Sequence, residues 1–374
     1  MKILFLDQFS EMGGAQFCLL DLLPALWERG WRAHAAVPAI GSLVERLQAH
    51  GVGVDQIPCG PYRAGRKRVG DFARFALDAV RQRAAIAALV ERGGFDLLYV
   101  NGPRVLPAAA LAARARVPVL FHAHNHIDSG YAVRLAGWSI RRSNATVVAC
   151  SRFVAAPLAG YAAAGRLHVV PSGTPDLGFR EPRPDPAAPW RIGIIGRISP
   201  EKGTAEFVRA AALCSGIPGI RFVVCGAPAN GRYSDMVAAA ALRLPIDFLG
   251  WRDDVATVLR NLDLLVLASR REGLGRVMLE AFSAGVPVVA FPEGGIVEAI
   301  EDEETGFLTT EPSAAALAAR LSELIRGDSR RLRNVAVNAR WLWQRSYRLA
   351  MYQQRITDTI RRMVSPSFPE RETA

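Results

Sequence analysis

Short apolar runs recur along the chain, and alanine- and leucine-rich stretches separate them. In the first half the runs are Lys2–Asp7, Ala33–Val37, Leu97–Val100, Pro118–His122, Thr146–Ala149 and Leu167–Val170. In the second half they are Arg191–Ile195, Arg221–Cys225, Ile246–Leu249, Asp263–Ala268 and Pro287–Phe291. Segments such as Asp71–Glu91 and Ser313–Ile325 between them have helical spacing. Strands that are apolar throughout are buried on both faces, as in parallel sheets covered by helices. The pattern therefore predicts an α/β fold wound twice. Pro182, Pro184, Pro186 and Pro189 crowd the segment Leu177–Trp190, where proline favours extended chain over either regular element. Directly after it, Arg191–Gly196 restarts a first strand and its glycine turn. Two Rossmann-like domains are expected, over residues 1–178 and 191–344, with a linker at 179–190. A long helical pattern over Ala339–Val364 closes the chain.

Size agrees with two domains, since 374 residues exceed one ordinary core. With 50% hydrophobic and 22% charged residues the chain is globular. No apolar run reaches the roughly 18–20 residues of a membrane span. Met1–Asp7 is too short and too early charged for a secretory signal, so a cytoplasmic location is expected. Cys18, Cys59, Cys150, Cys214 and Cys225 are scattered and form no Cys-x-x-Cys pair, which suits buried free thiols. The net charge of +11 attracts anions, whether nucleic acid, anionic lipid or a phosphorylated substrate.

Four blocks carry candidate chemistry. In Gly196-Arg197-Ile198-Ser199-Pro200-Glu201-Lys202-Gly203 a strand ends, a turn follows and a helix begins. That places Arg197 and Lys202 at the carboxyl end of a parallel strand, where open α/β sheets bind ligands. Two cations beside free helix amides suit a diphosphate; the plain alternative is a charged surface loop. Glu272-Gly273-Leu274-Gly275-Arg276-Val277-Met278-Leu279-Glu280 follows another strand. Its glycines let backbone approach a ligand, and its carboxylates suit sugar hydroxyls; alone, two such glutamates are weak evidence. Gly13-Gly14-Ala15-Gln16 opens a helix after the first strand, as any tight strand-to-helix turn could. No Gly-x-Gly-x-x-Gly with an acidic residue about twenty positions on is present, against a nicotinamide dehydrogenase. In His122-Ala123-His124-Asn125-His126, alternate residues of a strand would put three imidazoles on one face. They could ligate zinc. Only Asp128 lies near as a carboxylate, so a polar ligand contact by one histidine is expected instead.

Together these blocks resemble glycosyltransferase family 4, the group 1 glycosyltransferases with the GT-B fold. The resemblance rests on Gly13-Gly14-Ala15, His124, Gly196-Arg197, Glu201-Lys202-Gly203, Glu272 to Gly275, Glu280-Ala281 and Ala284 to Ala290. Gly294-Gly295, Glu298 and Gly306-Phe307-Leu308 continue it in the same order. It covers nearly the whole chain, and its specificity lies in joint order and spacing. It implies two Rossmann-like domains facing a central cleft. It also implies a C-terminal crossover helix, from about residue 345 to 374, returning to the first domain. The implied activity is a retaining, metal-independent transfer of a hexose-type sugar from a nucleotide diphosphate sugar. The acceptor would be a glycan, glycolipid or small molecule, as in polysaccharide or glycoconjugate biosynthesis. The resemblance implies that Arg197 and Lys202 neutralise the donor diphosphate, Glu272 holds the donor sugar and His124 sits close to it. Glu280 would bind the ribose. Gly13, Gly14, Gly196 and the backbone of Leu274, Gly275, Arg276 and Val277 would line the donor. No cofactor or metal is expected, and no Asp-x-Asp triplet stands ready to hold one. The chain departs from the family at His124-Asn125, where His-Asp is frequent, and at Pro171-Ser172-Gly173-Thr174-Pro175-Asp176, where Pro-Asn-Gly-Val-Asp is.

Tyr62–Arg68 and Arg134–Arg142 are basic, partly aromatic stretches that suit peripheral contact with an anionic membrane, on its inner face. A solvated cationic face or an acceptor groove is the alternative. A sugar-nucleotide epimerase of the same fold would convert a nucleotide sugar without any acceptor. A non-catalytic binding protein, for nucleotide sugar or nucleic acid, would show salt-dependent binding to random duplex in the nucleic-acid case. No nucleic acid is expected, because no recognised module appears.

Overall fold

The computed structural model describes residues 1–60, 69–113, 117–182, 189–228 and 231–364. The basic stretch at 62–68 and the linker prolines Pro184 and Pro186 lie outside the described residues. The chain divides into two compact units, Met1–Val170 with Tyr352–Ala374, and Pro171–Met351.

The first unit begins β1 (Lys2–Asp7), α1 (Gly14–Trp27), β2 (Arg32–Val37), α2 (Ser42–Ala49) and β3 (Gly53–Gln56). It continues α3 (Val69–Gly93), β4 (Leu97–Asn101), α4 (Leu106–Ala112), β5 (Val119–Ala123), α5 (Gly130–Ser143), β6 (Thr146–Ala149), α6 (Arg152–Ala155) and β7 (Leu167–Val169). The strands form a 7-stranded sheet in the order β3-β2-β1-β4-β5-β6-β7, parallel throughout. The order reverses between β1 and β4. At such a reversal the connections leave in opposite directions and open a crevice at the strands' carboxyl ends. Phe5, Tyr99 and Phe121 are fully buried in this unit's core.

The second unit runs β8 (Trp190–Ile195), α7 (Thr204–Leu213), β9 (Ile220–Cys225), α8 (Gly231–Ala241), β10 (Ile246–Gly250), α9 (Val255–Arg260) and β11 (Leu264–Leu267). Then come α10 (Arg276–Ala284), β12 (Val288–Ala290), β13 (Phe307–Leu308), α11 (Ala314–Arg326) and α12 (Ser329–Ser346). Its 6-stranded parallel sheet has the order β10-β9-β8-β11-β12-β13, reversing between β8 and β11. Ile192, Phe207, Phe222, Val266, Phe291 and Phe307 are among its buried core. Residues 171–182 already belong to this unit. Leu177 N–H donates to Ser283 Oγ at 2.9 Å, and Arg180 N–H to Ala284 O at 3.0 Å.

The closing helical pattern is two helices, because α12 ends at Ser346 and α13 (Leu349–Val364) starts three residues later. Side-chain periodicity runs through the break, but the backbone there is committed elsewhere. Thr174 N–H donates to Tyr347 O at 3.0 Å, and Leu349 N–H donates to Thr174 O at 3.0 Å. The Trp343 indole N–H adds a bond to Thr174 Oγ1 at 2.9 Å. Beyond the break, α13 delivers the buried Tyr352, Ile356 and Ile360 into the first unit, where Tyr352 O–H donates to Cys18 O at 3.1 Å.

Candidate functional site

In the second unit, the chain leaving β8 forms a short 3-10 turn at Pro200–Lys202 before α7. The chain leaving the neighbouring β11 forms the Ser269–Gly275 loop before α10. Lys202 Nζ donates to Glu272 Oε2 at 2.7 Å, so a side chain from each connection meets at the sheet reversal. Burial would raise the Glu272 carboxyl, but the Lys202 charge and hydrogen bond, with the Ser269 hydroxyl, outweigh it. Glu272 is therefore held below the ordinary carboxylate range and accepts hydrogen bonds without donating any. Arg197, on the connection between β8 and α7, is exposed, and among the described residues no carboxylate pairs with it.

Backbone geometry holds this pair in place. Arg270 N–H donates to Glu201 O at 3.0 Å, which ties the two turns together. Arg271 has φ 59, a left-handed conformation that a bulky residue rarely adopts. On the far side Gly295 N–H donates to Glu272 O at 2.8 Å. Gly203 has φ +68, and a Cβ there would stand 1.9 Å from Ala268 O, so only glycine lets α7 begin against the end of β11.

Gly275, with φ 84, is the N-cap of α10, and as a glycine it brings no side chain to cap that N-terminus. Its amides and dipole favour an anion. Leu274 and Gly275 are buried, and Val277 is half-buried. Arg276 and Glu280 are i,i+4 neighbours on α10 and pair at 2.8 Å (Nε to Oε1). Gly196, with φ +147, needs glycine for its backbone. The structure thus gathers Lys202 with Glu272 and Arg276 with Glu280, on connections from adjacent strands and the helix that follows.

The first unit places its predicted residues at its own sheet reversal. Gly13 is the residue before α1 and has ordinary extended backbone (φ −159), so its conformation does not require glycine. A Cβ on Gly14 would meet no atom within 4 Å. His124 follows β5, with Nε2 2.8 Å from Asn101 Oδ1. Burial lowers its imidazole to about 3, so the ring is neutral near pH 7.

The His122 and His124 rings lie side by side, 3.8 Å between centroids, but β5 ends at Ala123 and His126 beyond it packs elsewhere. His122 is buried, with Nδ1 2.6 Å from Tyr99 Oη. His126 stacks on Phe153 at 4.2 Å and donates from Nδ1 to Phe153 O at 2.9 Å. Among the described residues no group of three or more His, Cys, Asp or Glu side chains could hold a metal ion.

Sequence reasoning missed Asp7 and Asn101. They are register partners on β1 and β4. Asp7 accepts from Asn101 Nδ2 at 2.6 Å, from Gln16 Nε2 at 2.9 Å and from Phe9 N–H at 2.9 Å. Burial pushes the Asp7 carboxyl up to about 6 despite those donors. The available signal was position: each is a polar residue closing an apolar run beside the crevice.

Comparison with known proteins points to one family. Residues 12–176 match the model for Glycosyltransferase Family 4, and residues 179–340 match that for Glycosyl transferases group 1. The chain is similar to a 2-deoxystreptamine N-acetyl-D-glucosaminyltransferase of Streptomyces fradiae, 33% identical over 157 residues, 40% of this chain and 37% of that protein. It is also similar to a D-inositol 3-phosphate glycosyltransferase of Segniliparus rotundus, 31% identical over 203 residues, 49% of this chain and 45% of that protein. The chain spans less than half the length of these curated relatives. In solved structures, the Anabaena HepE protein in complex with UDP-glucose superposes with a TM-score of 0.81 at 27% identity, covering 96% of this chain and 99% of that one.

Proposed function

The chain belongs to the group 1 glycosyltransferases, and from that premise we propose that it transfers a hexose-type sugar from a nucleotide diphosphate sugar to an acceptor hydroxyl, with retention and without a metal ion. The observation that carries the reading is the Lys202–Glu272 pair at the β8/β11 reversal, with Arg197 on the same connection as Lys202. Lys202 and Arg197 bind the diphosphate, with the open N-terminus of α10 contributing amides. Glu272 accepts hydrogen bonds from donor sugar hydroxyls, and Glu280 from the ribose. His124 offers a neutral imidazole to the transferred sugar.

In the proposed reaction the bond between the anomeric carbon and the phosphate oxygen breaks. The acceptor oxygen bonds to that carbon from the same face, and its proton passes to the departing diphosphate. Negative charge grows on the diphosphate as it leaves, and fixed cations stabilise it where it develops. That is why cations belong here and a metal is not required. The relatives' names favour polyhydroxylated ring acceptors, and HepE makes UDP-glucose the first donor to try.

The test is transfer from UDP-hexoses to cyclitol and sugar acceptors, with the product's anomeric configuration read by NMR. An α-linked product from an α-donor, undiminished by EDTA, is expected. A β-linked product would refute retention, and loss of turnover in EDTA would refute metal independence. An altered nucleotide sugar formed with no acceptor present would favour the epimerase.

The same proposal includes an anionic membrane as a peripheral partner. Tyr131, Arg134, Trp138 and Arg142 stand exposed on α5, and Phe72 of α3 meets Tyr131 at 5.2 Å. Among the described residues Arg134 and Arg142 have no ion pair. Aromatic and cationic side chains on one surface suit a negatively charged headgroup layer. Sedimentation with phosphatidylglycerol vesicles but not phosphatidylcholine vesicles, lost in R134E/R142E, is expected. Equal sedimentation of the double variant would refute this contact.

A further inference from the structure

The first unit buries a chain of hydrogen-bonded polar groups at the carboxyl ends of its strands. Asp7, 1% exposed, ends β1, and Asn101, 2% exposed, ends β4 beside it. His124 follows β5, the next strand of the sheet. A buried carboxylate is costly unless it is fully hydrogen-bonded, and apolar residues at these positions would avoid the cost.

We infer that Asp7 and Asn101 are positioning residues that lock His124 in one tautomer, with the proton on Nε2 and Nδ1 left as an acceptor. Donor and acceptor parity along the chain fixes each group's orientation. An ionised carboxylate only accepts, and Asp7 accepts from Asn101, Gln16 and the Phe9 N–H. Asn101 must therefore turn its amide nitrogen, at 2.6 Å, towards Asp7. Its Oδ1 then faces His124 Nε2 at 2.8 Å. A carbonyl oxygen accepts only, so Nε2 carries the hydrogen. In a neutral ring that leaves Nδ1 unprotonated.

Two further contacts restrict the ring. The His122 ring lies 3.8 Å from it, centroid to centroid, and limits its rotation. Gln16 binds both Asp7 oxygens, at 2.9 and 3.0 Å, and so prevents the carboxylate from turning away from Asn101. Among the described residues His124 Nδ1 has no hydrogen-bond partner. An acceptor nitrogen of that kind takes a hydrogen bond from a substrate hydroxyl. The other tautomer would present a donor and could not.

The catalytic consequence rests on the proposed contact of His124 with the sugar, whereas the tautomer does not. Two readouts therefore separate the failures. Long-range proton–nitrogen spectra of the imidazoles report the tautomer directly, with His124→Gln assigning the signal among the 6 histidines. The expected wild-type pattern is Nε2–H at neutral pH. Asn101→Ala, and the isosteric Asp7→Asn should Asn101→Ala fail to fold, are expected to give a tautomer mixture. Turnover with UDP-glucose should fall about tenfold or more in these variants, with the donor KM nearly unchanged. A wild-type Nδ1–H pattern, or a pattern unaltered in both variants, overturns the inference. A tautomer mixture with turnover unaltered upholds the lock and instead refutes the contact of His124 with the sugar.

Discussion

Lys202 Nζ and Glu272 Oε2, 70 residues apart in sequence, stand 2.7 Å apart where β8 and β11 end side by side. The lysine holds the carboxyl ionised, and the carboxylate fixes where the ammonium points. Lys202→Met keeps the stem and removes the charge. Turnover is expected to fall by about 10²–10³, the cost of losing one electrostatic contact to a transition state. Glu272 is left without its cation, so the fold should lose on the order of 1–3 kcal/mol in denaturant melts. A variant with wild-type turnover would remove Lys202 from the chemistry.

Glu280→Gln preserves shape and removes the negative charge that pairs with Arg276. Both side chains are mostly buried, so the fold should lose on the order of 1–3 kcal/mol. The dissociation constant for UDP should rise about tenfold, equivalent to 1.4 kcal/mol, if Glu280 holds the ribose. Calorimetry with UDP and with uridine monophosphate reads this, and an unchanged constant for both would reassign Glu280 to structure.

Gly203→Ala tests the scaffold rather than the chemistry. The added Cβ would stand 1.9 Å from Ala268 O at φ +68, so backbone must move. A loss of about 2 kcal/mol or more is expected, from left-handed strain and overpacking combined. A melting temperature equal to wild type would show that α7 can start elsewhere.

Stability should depend on pH through the first unit's buried groups. Burial lowers His124 from 6.5 to about 3, and burial with the His124 charge lowers His122 well below its ordinary value. Below pH 6.5 the unfolded chain binds these protons and the folded chain does not, so stability present above 6.5 is lost as the pH falls. Asp7 works the other way. Its folded value of about 6 lies above the ordinary 3.8, so between those values the folded state holds the extra proton and gains as the pH falls. His124→Gln should therefore flatten the acid loss, and Asp7→Asn should steepen it. Urea melts at a series of pH values between 4 and 8 check both, and parallel curves for all three proteins would contradict the assignment.

Much of the fold was legible because buried parallel strands are apolar on both faces. The runs Lys2–Asp7 and Thr146–Ala149 coincide with β1 and β6. The edge strand β3, Gly53–Gln56, is half-exposed and mixed in composition, and β13 is only 2 residues long, so neither produced a signal. The split at Tyr347-Arg348 was hidden because it depends on a backbone pairing with Thr174, far away in sequence. Within the site, each charged block was visible alone. Which lysine meets which glutamate depends on strand order, and Asp7 meeting Asn101 across 94 residues depends on register. Neither follows from local pattern.

The most direct measurement is thermal unfolding with UDP and UDP-glucose, without added metal, on the wild type, Arg197→Ala and Glu280→Ala. A ligand at 100 times its dissociation constant stabilises a fold by about 2.7 kcal/mol. The expected result is a raised melting temperature for the wild type that both variants lose. No shift with any nucleotide or nucleotide sugar, or a shift that survives both substitutions, would contradict a donor site on the second unit.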